Sequence, residues 1–226
     1  MRKYFTNIIF LCFCGLLLGQ TPTPMVTIKG GSYVPLYGVK GENKATKPIN
    51  VKSFQLDIYP VTNAQYKAFL EKHPEWQRSQ VKGIFAQKSY LSHWQSDLDF
   101  SPLDAQAPVT HISWFAAKKY CECEGKRLPT TDEWEYVARA DVQSIDARKK
   151  KHYQEYIVRS MQTPKTYLQK VRSTPKNYWG VYDIHGLVWE WVADFNSVLL
   201  SGDSRKDKQG DDALFCGGSA LNASDL

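Results

Sequence analysis

Gly125-Lys-Arg-Leu-Pro-Thr-Thr-Asp-Glu-Trp-Glu-Tyr-Val-Ala-Arg139 and, further on, Asn177-Tyr-Trp-Gly-Val-Tyr-Asp-Ile-His-Gly-Leu-Val-Trp-Glu-Trp191 decide how this chain is read. In the first stretch Thr130 is followed three residues later by Glu133, the pair that closes a capping box. A helix is therefore predicted to begin after Thr130, with Trp134, Val137 and Ala138 facing inward. Just upstream, Ser113 can cap a helix running to about Glu124, with Trp114, Ala117 and Cys121 on one face and Gly125 as its C-terminal stop. In the second stretch glycine and aspartate alternate with aromatics. Val188-Trp-Glu-Trp-Val192 then alternates as a strand, with Trp189 and Trp191 on one face and Glu190 on the other.

Working outward, residues 25 to 34 read as two short strands around Gly30-Gly31, where glycine permits positive φ. Residues 49 to 59 interleave Val51, Phe54, Leu56 and Ile58 with polar positions, the pattern of one half-buried strand. Thr62 and Gln65 form a second capping box, opening a helix over 63 to 72 whose stripe is Tyr66, Phe69 and Leu70 and which Pro74 stops. Residues 75 to 108 carry Trp76, Phe85, Tyr90 and Trp94 without a clear period and read as a long loop over the core. Residues 148 to 176 hold nine basic residues and one acid, Glu155. They read as a solvated loop or helical insert, with a docking patch for an anionic partner as the alternative. Residues 199 to 212 read as a loop.

The chain has 226 residues, 42% hydrophobic and 13% aromatic, enough for one good-sized core or two small ones in a single domain. Arg2 and Lys3 precede an apolar run from Ile8 to Leu18, then Gly19-Gln20 and a Thr-Pro-Thr-Pro spacer. That is the layout of a secretory signal peptide over residues 1 to 20, and the run is too short for a permanent membrane span. Lipidation at Cys12 or Cys14 is disfavoured, because both lie inside the apolar run. Removing the segment takes the formal charge from +6 to +4, since it holds two bases and no acid. That balance argues for no nucleic-acid partner. Cys121, Cys123 and Cys216 would remain, an odd number that leaves a thiol unpaired or paired outside the chain.

Asp183 and Glu190 stand seven residues apart with Gly186 between them. Such spacing lets the carbonyls of Gly186 and Val188 point with the two carboxylates at one hard cation, a calcium turn. The alternative is that Asp183 caps a turn and Glu190 makes a surface pair. Cys121 and Cys123, two positions apart on a predicted helix, diverge by about 200° and do not easily share a metal or a bond. His185 and His111 are single imidazoles without a partner at ligand spacing and are left unassigned. Neither a nucleotide-binding glycine loop nor a nucleophile elbow is present.

Met25-Val-x-Ile-x-Gly-Gly, Tyr59-Pro-Val-Thr-Asn-Ala-Gln-Tyr-x-Ala-Phe69, Pro108-Val-x-His-x-Ser-Trp114, Gly125 to Thr130, Glu133-Trp-Glu-Tyr136, and Gly180 to Trp191 occur in this order. Together they resemble the formylglycine-generating enzyme, or sulfatase-modifying factor, family from about Met25 to Ser219. The resemblance implies a single α+β domain over 25 to 226, related to C-type lectins and low in secondary structure. It implies calcium held at Asp183, Gly186, Val188 and Glu190. It also matches Trp189 to a tryptophan of the family's substrate cleft, and Ser219 to the serine of its Gly-Gly-Ser turn.

Active members of that family hold copper(I) with two thiols. Here Gly217-Gly218-Ser219-Ala220-Leu221 leads to Asn222 where the first should stand, an amide that cannot act as a thiolate. Leu187 replaces a common asparagine, and the sequence stops at Leu226 before the second thiol position, so the domain is expected to be incomplete. Copper is therefore not expected in this chain, and Cys216, Ser219 and Trp189 are the candidates for catalysis. The expectation is an exported, atypical member in the periplasm, at the cell surface or secreted. It would act by binding or by another oxidative reaction on an exported protein or peptide, or with an envelope partner. The alternatives are an active copper oxidase with thiols beyond residue 226, Cys216 being one ligand, and a lectin-like or cell-surface assembly module. Because the family also includes iron-dependent sulfoxide-forming enzymes, membership alone does not fix the reaction.

Overall fold

A computed structural model describes residues 23–36, 47–162 and 169–194. The apolar N-terminal run and the segment with Cys216, Ser219 and Asn222 lie outside the described residues.

The first strands, β1 (Met25–Ile28) and β2 (Gly31–Tyr33), do not pair with each other. Across from them the single strand expected over 49 to 59 is two, β3 (Ile49–Val51) and β4 (Phe54–Asp57). β1 pairs antiparallel with β4 from Met25↔Asp57 to Ile28↔Phe54, and β2 with β3 from Gly31↔Val51 to Tyr33↔Ile49. Register is the same in both ladders, so this is one long ribbon with a lapse at Lys29-Gly30 and Lys52-Ser53. The lapse has a packing cause. Side chains alternate faces along a strand, and Ile28 and Tyr33, both buried, are an odd number of positions apart. Only a break in the pleat turns both toward one core. At the break the Gly30 N–H goes to Ser53 Oγ at 3.0 Å instead of into the ladder. A Cβ at Gly30 would lie 2.4 Å from the Val51 carbonyl oxygen, so the strands can approach this closely only with glycine there.

The helices fall close to where their caps predict. Helix α1 (Asn63–Lys72) has the full Thr62–Gln65 capping box, and α3 (Thr131–Ala138) the full Thr130–Glu133 box. Helix α2 (Trp114–Cys123) is capped by Ser113, and Gly125 follows it at φ 67°. The inward face of α2 differs from expectation: Ala116, Ala117 and Tyr120 are buried, while Trp114 and Cys121 are only half-buried. In the basic insert, α4 (Lys151–Gln162) is helical with Tyr153 as its buried anchor, and residues 163–168 lie outside the described residues.

Two apolar clusters form. One packs Tyr66, Phe69 and Leu70 of α1 against Ala116 and Tyr120 of α2 together with Tyr90, Leu91 and Trp94. Those last three come from the segment expected to lie over the core as a loop; it is irregular, but it supplies core instead of covering it. The other packs Ile28, Tyr33 and Val51 of the ribbon against Tyr136, Val137 and Ala138 of α3, and is closed by Val181 and Ile184. Tyr66 Oη and Tyr90 Oη pair at 2.8 Å, and Tyr90 donates to the Trp76 carbonyl at 2.9 Å, so these two buried hydroxyls of the first cluster are satisfied. The result is a mixed α+β arrangement of short elements joined by long irregular segments. Among the described residues no helix is long and apolar enough to cross a membrane.

Candidate functional site

The segment from Asn177 to Asp194 crosses the second cluster and gathers most of the residues singled out in sequence. Asn177 anchors its start: Oδ1 accepts the N–H groups of Trp179 at 3.0 Å and Val181 at 3.2 Å, and Nδ2 donates to the Val137 carbonyl at 3.1 Å. This buried amide ties the turn to α3.

Asp183 follows at φ 57°, a left-handed conformation that Asp tolerates better than most residues, and only 2% of its surface is exposed. Its Oδ1 accepts from Thr174 N at 2.9 Å, Thr174 Oγ1 at 3.0 Å and Ser173 Oγ at 3.2 Å, and its Oδ2 accepts the Arg172 N–H. In return the Asp183 N–H goes to Thr174 Oγ1 at 2.8 Å. Burial of this carboxylate is thus offset by three donating residues just before the turn. Nothing in the sequence reading marked Arg172, Ser173 or Thr174. They lie in a basic, irregular stretch where only pairing across the fold gives them a role.

Glu190 has far fewer donors. Its Oε2 accepts the Trp134 indole N–H at 2.6 Å. The residue keeps some surface, but its carboxyl end is enclosed by protein. That burial pushes its pKa up to about 7 against the pull of the Trp134 bond, with the negative field of Asp183 adding to the rise. Two carboxylates therefore share one field on this face of the protein.

Gly186 lies between them at φ 86°, and a Cβ there would stand 2.8 Å from Ser160 Cβ, so α4 packs directly on the turn. The same helix contributes Tyr153, whose hydroxyl donates to the Ala138 carbonyl and lies 2.9 Å from His185 Nε2. His185 Nε2 also reaches the Ala138 carbonyl at 2.7 Å. Burial lowers its pKa, and the carbonyl bond only partly offsets this. His185 is thus a neutral imidazole that serves a C-terminal carbonyl of α3, one of the acceptors a helix end leaves open. This gives the unassigned histidine a structural place.

The strand expected over Val188 to Val192 does not form; the segment has no regular secondary structure and no partner strand among the described residues. Its alternation is present with the opposite sense for a core. The tryptophans face out, Trp189 with 67% and Trp191 with 38% of their surface exposed, and the glutamate carboxyl turns in. Trp191 Nε1 donates to the Ile112 carbonyl at 3.0 Å, and Trp114 Nε1 to the Val192 carbonyl at 2.8 Å, so two indoles cross-link this segment to the start of α2. Asp194 Oδ1 accepts from Thr131 N at 2.8 Å and Thr131 Oγ1 at 3.0 Å. That places a negative charge at the N-terminus of α3, where the helix dipole favours it.

Asp183, Gly186, Val188, Trp189 and Glu190 follow one another along this segment, with Asp183 near enough to Glu190 for its charge to add to the rise in the Glu190 pKa. A hard cation suits the donor set on the Glu190 side, where the carboxylate has no positively charged partner among the described residues. On the Asp183 side Oδ1 is already served three times, and Oδ2, with one donor, is the oxygen available to a metal. Among the described residues no pair of thiols stands here. The free thiols among the described residues, Cys121 and Cys123, lie on α2, the first half-buried with burial pushing its pKa up to about 11, the second exposed. Cys216 and Ser219 lie outside the described residues.

Residues 18–226 match the family model described as the sulfatase-modifying factor enzyme 1-like domain. Serine/threonine-protein kinase pkn1 of Chlamydia caviae is 32% identical over 185 residues, 76% of this chain and 28% of that protein, so the chain spans under a third of the length of this relative. The inactive C-alpha-formylglycine-generating enzyme 2 of Mus musculus is 28% identical, covering 82% of this chain and 74% of its own. The formylglycine-generating enzyme of Mus musculus is 29% identical, covering 92% and 69%.

Proposed function

Since the chain belongs to the sulfatase-modifying factor enzyme 1-like family, we propose that it is an exported, atypical member that binds a protein or peptide without oxidising its cysteine. One observation carries this reading. The wall around Trp189 and Glu190 is built, while the position expected to hold the first copper thiolate is Asn222. Copper(I) wants soft sulfur ligands, and of the two thiols on α2 the more buried, Cys121, is held in its protonated form. That a relative is named an inactive enzyme of this family agrees with the reading. The kinase name of another is not carried over, because the match covers 28% of that protein and this chain has no glycine-rich phosphate loop.

In this proposal Trp189 offers an exposed aromatic face to the ligand, the kind of rigid surface on which binding energy concentrates. Calcium would be held by Asp183, Glu190 and the carbonyls of Gly186 and Val188. Its chemistry there is charge neutralisation of two buried carboxylates. This chain's own residues do the rest: Trp134 holds Glu190, Thr174 and Ser173 hold Asp183, and α4 backs the turn through Ser160.

The test is to incubate the protein with copper(I) and a Cys-x-Pro-x-Arg peptide and to follow the peptide by mass spectrometry. An unchanged thiol is expected, and aldehyde formation would overturn the proposal. The competing reading, an active oxidase that recruits Cys216, is favoured by the 92% coverage shared with a formylglycine-generating enzyme, and it predicts the aldehyde.

A further inference from the structure

Two histidines far apart in the sequence, His93 and His111, meet with ring centroids 4.9 Å apart and planes inclined at 43°. The backbone that brings them together is unusual. His111 has φ 55°, and Leu91, two residues before His93, has φ 48°. Each costs on the order of 1 kcal/mol or more for a residue with a side chain, and such residues persist where the surrounding structure imposes them. Here the two are bonded to each other, the buried Leu91 donating its N–H to the His111 carbonyl at 2.9 Å. Leu91 is a core residue of the α1–α2 cluster, so the packed interior fixes one side of the arrangement.

The rings themselves are exposed. Thr110 Oγ1 lies 3.2 Å from His111 Nδ1; in the tautomer whose Nδ1–H donates to Thr110, this is the outer-sphere hydrogen bond that orients a ligating imidazole and leaves Nε2 as the free nitrogen. Partial burial, and then the neighbouring His111, lower the pKa of His93.

We propose that His93 and His111 form a two-imidazole site for a borderline divalent transition-metal ion such as zinc(II). With a metal–nitrogen distance of about 2.0–2.1 Å, each ring centroid stands roughly 3.2 Å from the ion. Bond angles from 90° to 109° then separate the centroids by about 4.5 to 5.2 Å. The observed separation lies inside that interval. Imidazole pairs select zinc, copper or nickel over calcium and magnesium, so this site and the carboxylate turn at Asp183 and Glu190 sort ions by donor type. Among the described residues no third histidine, cysteine or carboxylate completes a cluster here. Solvent therefore fills the remaining positions, and the ion is exchangeable, not part of the fold.

Zinc chloride titrated into the metal-free chain, followed by calorimetry and by imidazole nitrogen shifts, tests this. The wild type is expected to bind one zinc with shifts at both rings. His93→Ala and His111→Ala should each weaken binding at least about tenfold, and Thr110→Val should weaken it less. Because both imidazoles are exposed, the two histidine variants should melt as the wild type does. Absence of zinc-dependent shifts at His93 and His111, or wild-type zinc affinity in either histidine variant, would overturn the proposal.

Discussion

Trp134 donates its indole N–H to Glu190 Oε2 at 2.6 Å, joining the first turn of α3 to the segment that carries the exposed tryptophans. The bond sets the sense of the whole stretch: with Glu190 held inward, Trp189 and Trp191 on either side must face out. It leaves the carboxylate enclosed and near neutrality in its titration, in the field of Asp183. A cation between the two would remove that cost.

Calcium removal should therefore show in stability. Chelation is expected to lower the Tm of the wild type, and added calcium to restore it by an amount equivalent to about 2.7 kcal/mol when its concentration is a hundredfold above Kd. In Asp183→Ala and Glu190→Gln the response should shrink or vanish. Equal shifts in the wild type and both variants, measured by differential scanning fluorimetry, would eliminate the site.

Gly186→Ala should destabilise the chain by about 2–3 kcal/mol. The new methyl group meets Ser160 Cβ at 2.8 Å, and φ 86° disfavours any side chain. Gly125→Ala is the control, with φ 67° but nothing within 4 Å of the new atom, and should cost about 1 kcal/mol. Urea denaturation of the two variants gives the comparison, and similar losses would mean that α4 does not rest on the turn as described.

Asp141 supplies the pH dependence. Burial alone would raise its pKa, but Lys150 Nζ at 2.8 Å, the N–H groups of Gln143 and Ser144, and His152 hold the carboxyl well below the usual range. Its folded pKa is below the unfolded one. The stabilisation is then complete above about pH 4 and is lost as pH falls through the folded pKa. Asp141→Asn should cost about 2 kcal/mol at neutral pH. The gap from wild type should close as pH falls below about 3, and a gap independent of pH would contradict the assignment.

Trp189→Ala separates stability from binding. With 67% of its surface exposed, its loss should change stability by no more than about 0.5 kcal/mol. Binding of a peptide ligand, read by calorimetry, should weaken by about 2 kcal/mol if its face carries the contact. Unchanged affinity would move the ligand away from this wall.

How much of this was legible in the sequence depended on range. The caps at Thr62, Ser113 and Thr130 act within four residues, and the helices they open lie where expected. The ribbon depends on contacts between residues such as Met25 and Asp57, and the break in its pleat answers to the position of α3; neither is a local signal. The alternation of Val188 to Val192 was legible, but not its sense, because a buried glutamate needs Trp134 to receive it. The family resemblance carried by the ordered motifs agrees with the family model. It did not indicate that Thr174 would hold Asp183, that α4 would seat on Gly186, or that His111 would find His93.

The ribbon also has a temporal meaning. Tyr33 reaches Asp132 at 2.7 Å and Tyr136 reaches the Lys29 carbonyl at 3.3 Å, partners separated by about a hundred residues of chain. Loops of that length close late in folding, after local helices have formed. The strands find their partners within about thirty residues, but the face of the ribbon that carries Ile28 and Tyr33 stays uncovered until α3 arrives, and a chaperone that shields that face would protect the slowest step of its assembly.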